Sequence, residues 1–577
     1  MIRQFICNPV VRLLVVVTAI LFYAHSSAHA QESRIAGMVT PNLIFSTYLG
    51  GKTPCQSCSS ADTFAQNTAT DAEGNTYVTG ATTVSDLPVL NAWQKQPATG
   101  STMSAFVAKY GPAGKLIWCT YLGGDNQSMG IGAAVMPDGG VAVVGLTSSD
   151  SNGPFPTTSD PYQAKNHGKT DYFVTVFDRN GNVRYSTYLG GSDSEGDPDT
   201  PFADNAYNGD NIAADAHGLV YVTGYTDSGG GGSNAIKFPV TPNAIQEDLK
   251  GGKDAFLSIL DPRKSGPDSL VYSSFLGGTG DDKGHGVAVN ACGSLITVVG
   301  FTSSSDFPTT ANAYRSYPPD QGFQSNGFVA QFMSIQPCRP SSYYTARYVT
   351  YLGGKSDNAR DDTYGVALDP WGLIVVTGRT ESADFPMNLN APSIYNSAPY
   401  LGYGNSSDEP YLVKINPSLS GEKSLVYSTF LGGGSTNGDG GAWCTSAAVD
   451  FLGTAYVGGE TYNTEGGILY TPSRYPVEAP QEFPYTQDAM FTSLQGSTDA
   501  MFMGISPDGR TLIYSTFFGG KESDRTYGLA VDPAGNVVLA GLTFSSDFPL
   551  KHPAQTWPGN TGSRNAFVSK FTSSWGR

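Results

Sequence analysis

The residues with the clearest capacity for chemistry are carboxylates that alternate along one loop of this chain. They are Asp193, Glu195, Asp197, Asp199 and Asp204, with Asp210 further on. Alternating side chains can turn several oxygen atoms towards one hard cation, as calcium-binding loops do. The match is incomplete, because Pro198 stands where a sharp-turn glycine belongs and Asp204 replaces a bidentate glutamate. Two hypotheses stay open: a Ca²⁺ site, with no other cofactor expected, and a solvated acidic loop.

A second set of candidates precedes three predicted strands near the centre of the fold. These are Asp282, Asp361 and Asp524, with His285 close by. Paired carboxylates at the mouth of a channel can act as acid and base in glycan cleavage. The alternative is a structural role, in which each carboxylate caps the loop before its strand. Its recurrence in several repeats favours that role, because catalytic sites break repeat symmetry.

Aromatic residues in the longest insertions are candidates for contact with a ligand. Tyr400, Tyr403 and Tyr462 represent this group. Such rings stack on sugars or anchor a protein partner, and they also pack ordered loops against themselves. The chain shows no HExxH pattern, no Gly-x-Ser-x-Gly elbow and no phosphate-binding glycine loop. No catalytic residues are therefore assigned from motifs.

The elements that position these residues form a repeat. Seven times an aromatic residue is followed by Leu-Gly-Gly or Phe-Gly-Gly, from Tyr48 to Phe517. Each copy contains a short apolar strand, a turn such as Pro533-Ala534-Gly535-Asn536, a second strand, a Thr-x-Ser-x-Asp-Phe-Pro element and two further strands. Long repeats with four strand-like segments predict the blades of a β-propeller.

The two ends of the array predict how the ring closes. A lone fourth strand begins at Leu43, and the chain runs out after a third strand that ends at Phe571. We therefore expect an all-β, seven-bladed propeller over residues 43–571, with four antiparallel strands per blade and the N-terminal strand completing the last blade. Such closure hides two sheet edges.

These repeats resemble the SBBP family of bacterial β-propeller repeat proteins. The resemblance rests on Tyr-Ser-Thr-Tyr-Leu-Gly-Gly, Gly-x-Ala-Val-Asp-x-x-Gly-Asn-Val-Tyr-Val-Thr-Gly and Thr-x-Ser-x-Asp-Phe-Pro, and it covers about residues 43–571. It implies a seven-bladed propeller in exported or cell-surface bacterial proteins. It supplies no catalytic residues.

The N-terminus predicts export. Residues 1–30 combine Arg3 and Arg12, an apolar run from Leu13 to Ala24 and the small-x-small site Ala28-His29-Ala30, which is the pattern of a signal peptide. Residues 31–42 follow as a leader and 572–577 as a tail. We expect a soluble, monomeric protein in the periplasm, at the cell surface or outside the cell, without membrane insertion after signal removal.

The net charge limits the classes of partner, and the cysteines indicate which disulfides can form. The net charge of −17 disfavours nucleic acid and anionic membranes. Cys55 and Cys58 are expected to form a local disulfide, since no second CxxC accompanies them. Cys292 and Cys338 are candidates for another bridge, because their turns fall at the same end of one blade.

Function is expected in the connections where the copies differ, since binding residues concentrate on variable loops. The leading hypothesis is a non-catalytic propeller that binds an extracellular protein or polysaccharide through its long loops. The alternatives are a glycan-active hydrolase or lyase that uses channel-mouth carboxylates, and a calcium-stiffened structural ring.

Overall fold

The chain folds into an all-β ring of seven four-stranded antiparallel blades, as the sequence predicts. The computed structural model describes residues 43–150, 153–196, 210–231, 235–318, 325–336, 343–354, 359–382, 384–386, 409–432, 442–462, 467–469, 483–559 and 562–572. Within those residues the only helical segments are two short 3₁₀ turns, Gly266–Ser269 and Gly421–Ser424.

The strands of the first half of the ring follow one another directly along the chain. The chain enters with β1 (Leu43–Leu49), which belongs to the last blade. Blade 1 has β2 (Thr63–Thr70), β3 (Thr76–Thr82), β4 (Ser104–Tyr110) and β5 (Leu116–Leu122). Blade 2 has β6 (Ser128–Val135), β7 (Val141–Thr147), β8 (Asp171–Phe177) and β9 (Val183–Leu189). Blade 3 has β10 (Ile212–Ala214), β11 (Val220–Thr226), β12 (Asp254–Leu260) and β13 (Leu270–Leu276).

The second half adds one small extra sheet. Blade 4 has β14 (Asp282–Val289), β15 (Leu295–Thr302), β16 (Asn326–Ser334) and β17 (Tyr344–Leu352), and blade 5 has β18 (Asp361–Leu368), β19 (Ile374–Thr380), β20 (Glu409–Ile415) and β21 (Leu425–Phe430). Blade 6 has β22 (Ala442–Val449), β23 (Ala455–Thr461), β26 (Asp499–Ile505) and β27 (Leu512–Phe518), and its β23–β26 connection holds the parallel pair β24 (Gly467–Leu469) and β25 (Phe483–Tyr485). Blade 7 has β28 (Asp524–Val531), β29 (Val537–Thr543) and β30 (Asn565–Phe571).

Closure of the ring takes the predicted form. Strand β1 pairs antiparallel with β30, so the N-terminal strand is the fourth strand of blade 7. The hydroxyl of Tyr48 donates to Ser545 O at 2.7 Å and accepts from Phe548 N at 3.1 Å. The ring is thus joined by both backbone pairing and a buried side chain.

The two recurring motifs dock into one another at three junctions between blades, through Asp86, Asp306 and Asp547. In the connection from blade 3 to blade 4, the backbone N–H of Thr279 donates to Asp306 Oδ1 at 2.7 Å. Asp306 belongs to the Asp-Phe-Pro element, and Thr279 directly follows the Gly277-Gly278 pair. Phe307 of the same element is buried against Phe328, with ring centroids 4.7 Å apart. The Asp-Phe-Pro element therefore packs the blades, as predicted.

In five of the seven blades the hairpin between the first and second strands is held by an aspartate that accepts hydrogen bonds within its own turn. Asp71 Oδ1 accepts from Glu73 N at 3.1 Å and from Asn75 N at 2.8 Å, while Gly74 has a φ of 78°. Such turns and the third-to-fourth connections lie on one side of the ring, here called the hairpin face. The longer second-to-third and blade-to-blade connections lie on the other side, the loop face.

The centre of the ring is narrow because the innermost strands bulge and carry small residues. The first strands of neighbouring blades pack against one another around the axis. In four blades the residue that follows the bulge is glycine: Gly132, Gly286, Gly365 and Gly528. A Cβ on Gly365 would lie 2.6 Å from Ala447 N, so only glycine permits this approach.

Candidate functional site

The three carboxylates proposed to face a ligand are buried, so that prediction is wrong. Asp282, Asp361 and Asp524 are at most 2% exposed. Asp282 Oδ2 accepts from Gly278 N at 2.8 Å and from Ser304 Oγ at 2.7 Å. The other two make equivalent bonds to Gly354 N and Ser382 Oγ, and to Gly520 N and Ser545 Oγ. Their contacts support the structural alternative: each carboxylate fastens the Gly-Gly exit of one blade to the next blade.

Buried carboxyl groups face one another at three of these junctions. The pairs are Asp171 with Glu195, Asp254 with Asp282, and Asp499 with Asp524. Each pair lies on the first glycine of a Gly-Gly motif: a Cβ on Gly190 would be 2.5 Å from Asp171 Oδ1 and 2.7 Å from Glu195 Oε2. A larger residue would displace both groups. This contact explains why the repeat needs glycine there.

Burial is the largest cause of the raised pKa values in these pairs. Burial, together with the neighbouring carboxylate, raises the pKa of Asp171 to about 8, that of Asp282 to about 6 and that of Asp524 to about 7. Asp171 Oδ1 and Glu195 Oε2 are buried without another hydrogen-bond partner in the described structure. One proton shared between these two oxygens satisfies both, because two carboxylates this close do not ionise together.

The predicted calcium loop is only partly described. Asp197, Asp199 and Asp204 lie outside the described residues. Glu195 is directed at Asp171 and accepts from Thr226 Oγ1 at 2.8 Å, so its carboxyl belongs to the blade junction. Asp193 lies in the preceding turn, where its N–H donates to Ser228 Oγ at 3.0 Å. Across the described ranges no group of three or more His, Cys, Asp or Glu side chains is placed to hold a metal ion.

Asp210, at the end of that loop, occupies the centre of the ring. Its Oδ1 accepts from Asn67 Nδ2 of blade 1 and from Ser446 Oγ of blade 6, both at 3.2 Å. Its carbonyl accepts from Val287 N of blade 4 at 2.7 Å. Burial raises the pKa of this carboxyl to about 6. The chain thus enters blade 3 through the axis, and one side chain joins blades that are not neighbours.

His285 is the bulge residue of its innermost strand and packs between aromatic rings. Its ring centroid lies 5.1 Å from that of Tyr364 and 5.4 Å from that of Phe301. Nδ1 lies 3.1 Å from Thr363 O and donates to it in the neutral imidazole. Burial lowers the pKa of His285 to about 4, so the ring is uncharged at neutral pH. This histidine forms part of the wall of the channel.

The loop-face end of the channel holds an alternating set of rings and charges, here called the mouth cluster. Its members come from blades 3 to 7, where they lie at the start of the first strand or at the end of the second strand. They are Tyr225, Lys283, Phe301, Asp362, Arg379, Trp443, Glu460, Tyr462 and Arg525. Tyr462 was predicted as a ligand residue. Tyr400 and Tyr403 lie outside the described residues, so their predicted role stays a prediction.

Each cation of the mouth cluster lies over an aromatic ring. Lys283 Nζ is 4.6 Å from the ring centroid of Tyr225 and 5.3 Å from that of Phe301. Arg379 Cζ is 5.0 Å from the ring centroid of Trp443, and Arg525 Cζ is 5.8 Å from that of Tyr462. Apart from the contact of Lys283 with Phe301 within blade 4, each ring and its cation come from adjacent blades, so the cluster spans the blade junctions.

Two carboxylates balance part of this positive charge. Arg379 Nη2 lies 3.0 Å from Asp362 Oδ2, and Arg525 Nε lies 2.9 Å from Glu460 Oε2. Glu460 also accepts from the Tyr462 hydroxyl at 2.7 Å. Counting Lys283, the cluster carries three cations and two anions within a chain of net charge −17. Its chemistry is aromatic and locally cationic.

Sequence reasoning missed most of the mouth cluster. Tyr462 is the one predicted ligand residue that belongs to it. The other described candidates, Asp282, Asp361, Asp524 and His285, are only neighbours of its members along the strands, because variable loop length favours the insertions over strand positions. The missed signal is positional: the second residue of the innermost strand is Phe64 in blade 1 and Met129 in blade 2, but Lys283, Asp362, Trp443 and Arg525 in blades 4 to 7. Departures from the repeat at this register mark the cluster.

The cysteine predictions have different outcomes. Cys55 and Cys58 form a disulfide with a Cα separation of 5.0 Å. Cys292 lies partly buried in the β14–β15 turn, and Cys338 is outside the described residues, so their bridge stays a prediction. Burial raises the pKa of both Cys119 and Cys444 to about 12, which leaves their thiols protonated and unreactive.

Comparison with known proteins yields one distant sequence relative. No family model matches the chain. The regulatory protein FlaEY of Caulobacter vibrioides (strain ATCC 19089 / CIP 103742 / CB 15) is 27% identical over 251 residues, which are 43% of this chain and 23% of that protein. The match therefore spans less than a quarter of the length of the relative.

The solved structures that are similar to this chain have low sequence identity to it. U3-55K is 8% identical, with 92% of this chain and 99% of that chain covered and a TM-score of 0.40. The polysaccharide lyase Uly1 is 7% identical, with 92% and 98% covered and a TM-score of 0.37. A protein of unknown function from Dyadobacter fermentans DSM 18053 is 10% identical, with 76% and 93% covered and a TM-score of 0.32.

Proposed function

We propose that this protein is an exported, non-catalytic β-propeller of the SBBP type that binds an extracellular polysaccharide or protein at the mouth of its channel. The observation that carries the proposal is the mouth cluster, in which Lys283, Arg379 and Arg525 each lie over an aromatic ring. Export rests on the signal-like N-terminus. No helix in the described part of the chain is long and apolar enough to span a membrane.

A glycan with acidic groups fits this chemistry better than a neutral one. Partly exposed rings such as Trp443 and Tyr462 offer faces on which sugar rings stack. Guanidinium and ammonium groups bind carboxylates or sulfates, and Arg does so with two donors. The side chains of Arg379 and Arg525 are 12% and 15% exposed, and each also contacts a carboxylate.

The ion pairs also explain why we favour binding over catalysis. Asp362 and Glu460 are each within 3.0 Å of an arginine nitrogen, so both carboxylates are engaged in ion pairs inside the protein. A general acid needs a proton at the working pH. The carboxyls with raised pKa, such as Asp282, are buried at the blade junctions.

An oligosaccharide array followed by calorimetry tests the proposal. We expect acidic oligosaccharides to bind the mature protein, neutral counterparts of equal length to bind at least tenfold more weakly, and Trp443→Ala to weaken binding at least tenfold. Tyr317→Ala, which removes an exposed ring on the same face away from the mouth, is the matched control. Release of reducing ends or unsaturated sugars would contradict the non-catalytic role. Equal binding by Trp443→Ala and wild type would exclude the mouth as the site.

A further inference from the structure

The hairpin face carries an apolar surface that the proposed function does not use. Its members, here called the hairpin-face patch, are Met333, Ile335, Tyr343, Trp371, Leu419, Phe451 and Leu452, each between 43% and 65% exposed. They make up most of the exposed large apolar side chains in the described part of the chain. The others, such as Trp93 and Leu550, are scattered over second-to-third connections.

The patch is continuous across blades 4, 5 and 6. Trp371, at the tip of the β18–β19 turn, reaches blade 6: a Cβ on Gly453 would lie 2.6 Å from its Cζ3. On the other side, a Cβ on Gly372 would lie 3.6 Å from Leu295 Cδ1, and Leu295 pairs with Met333. Arg347 Nη2 donates to Ser418 Oγ at 2.8 Å, which joins the turn that bears Leu419 to blade 4.

The apolar tips of the patch are held by hydrogen bonds within their turns. At the equivalent turn positions other blades have small or polar residues. The N–H groups of Trp371 and Leu452 donate to Asp369 Oδ1 and Asp450 Oδ1 at 2.9 and 2.8 Å. The corresponding turns of blades 1 and 3 carry Glu73 and His217, whose N–H groups donate to Asp71 Oδ1 and Asp215 Oδ1. The apolar residues are therefore not required by the turn, which the same aspartate builds with polar tips elsewhere.

We infer that the hairpin-face patch is a self-association surface that a second copy of this chain covers. The exposed area of its side chains is on the order of 700 Å², close to the roughly 800 Å² that each partner buries in a stable protein interface. Apolar patches larger than a few hundred square ångströms are uncommon on monomers. This inference replaces the expectation of a monomer.

The charges around the patch suit a twofold contact. Asp508 and Arg510 form an ion pair at 4.0 Å on the β26–β27 turn of blade 6, and Glu422 and Lys423 lie together in a turn of blade 5. Both signs therefore border the apolar tips, so a twofold-related copy meets no field of a single sign. An anionic bilayer is a poorer occupant for a chain of net charge −17.

Sedimentation of the full mature protein tests this inference. Over about 1 to 100 µM we expect wild type to pass from monomer to dimer, and the double variant Trp371→Ser/Phe451→Ser to dimerise at least tenfold more weakly. Both substitutions are at exposed tips, so thermal unfolding and circular dichroism should match wild type. Trp93→Ser, at an exposed ring on the loop face, should dimerise like wild type.

Three results would overturn the inference. They are a wild type that stays monomeric at the highest concentration, a double variant that dimerises as strongly as wild type, and a monomeric wild type that cosediments with phosphatidylcholine vesicles through Trp371. The last result would assign the patch to a lipid surface.

Discussion

Buried carboxyls at the blade junctions are the residues of this ring whose acid–base behaviour departs furthest from that of free side chains. Asp171, Asp282, Asp361, Asp499 and Asp524 have pKa values raised to between about 6 and about 8, with burial as the first cause. Each lies against a glycine or an amide of a blade junction. The proton that these groups hold is therefore part of what joins the blades.

Stability should accordingly fall as pH rises from about 4 to about 8. The folded-state pKa values lie above the roughly 3.9 of an unfolded aspartate, so the folded protein binds more protons across that window. We expect the free energy of unfolding to drop by a few kcal/mol over it, measured by urea denaturation at several pH values. Glu195→Gln should flatten the drop, because Asp171 then ionises beside a neutral amide.

The opposite sign applies at lower pH. Hydrogen bonds from backbone N–H groups lower the pKa of Asp306 and Asp547, so their contribution to stability is lost as pH falls through those lowered values. A maximum of stability is therefore expected in mildly acidic solution. Stability that rises steadily to pH 8 would contradict the shared-proton account. As a control, Asp248→Asn, at a carboxyl that is 87% exposed, should not alter the profile.

Among the strands, β1 determines whether the ring stays closed, because it pairs with β30 at the other end of the chain. Strand β1 brings Tyr48, whose buried hydroxyl makes two hydrogen bonds to the second-to-third connection of blade 7. Tyr121 makes the same two bonds within blade 1, to Val84 O and from Leu87 N. The two sites differ in that only the bonds of Tyr48 connect opposite ends of the chain.

Tyr48→Phe should lower the free energy of unfolding by about 1 to 3 kcal/mol, because Phe548 N and Ser545 O lose a buried partner. Thermal unfolding measures the loss. Tyr121→Phe removes the same bonds where the chain is continuous, so it should cost a similar amount without opening the ring. A larger gain in proteolysis near residues 43–49 for Tyr48→Phe than for Tyr121→Phe is expected. Equal proteolysis in both would contradict the closing role.

The elements were predictable from the sequence because they repeat. The Gly-Gly motif reports local geometry seven times, the Asp-x-x-Gly hairpin turn five times and the Phe-Pro pair six times, and the lone strands at the two ends specify closure. The site was less predictable, since a strand residue such as Lys283 gives no local signal of the ring above it. Tyr225 and Lys283 meet only because blades 3 and 4 are neighbours in space. Asp210 likewise reaches Ser446 across the axis, far from it in sequence.

For the molecule as a whole, the ring separates three roles by position. Carboxyl pairs and Asp210 hold the blades together, the mouth cluster faces outward on the loop side, and apolar tips project on the hairpin side. Ligand binding and self-association therefore occupy opposite faces. Neither surface needs to be displaced for the other to be used, so a dimer formed through the hairpin-face patch leaves both channel mouths open.

The central claim is that the mouth cluster binds the ligand, and hydrogen–deuterium exchange with an acidic oligosaccharide tests it most directly. Binding should protect backbone amides at the starts of β14, β18, β22 and β28 and at the ends of β11, β15, β19 and β23. The hairpin turns 369–372 and 450–453 should exchange as in the free protein. Protection confined to those turns, with none around Lys283, Arg379 or Trp443, would contradict the account.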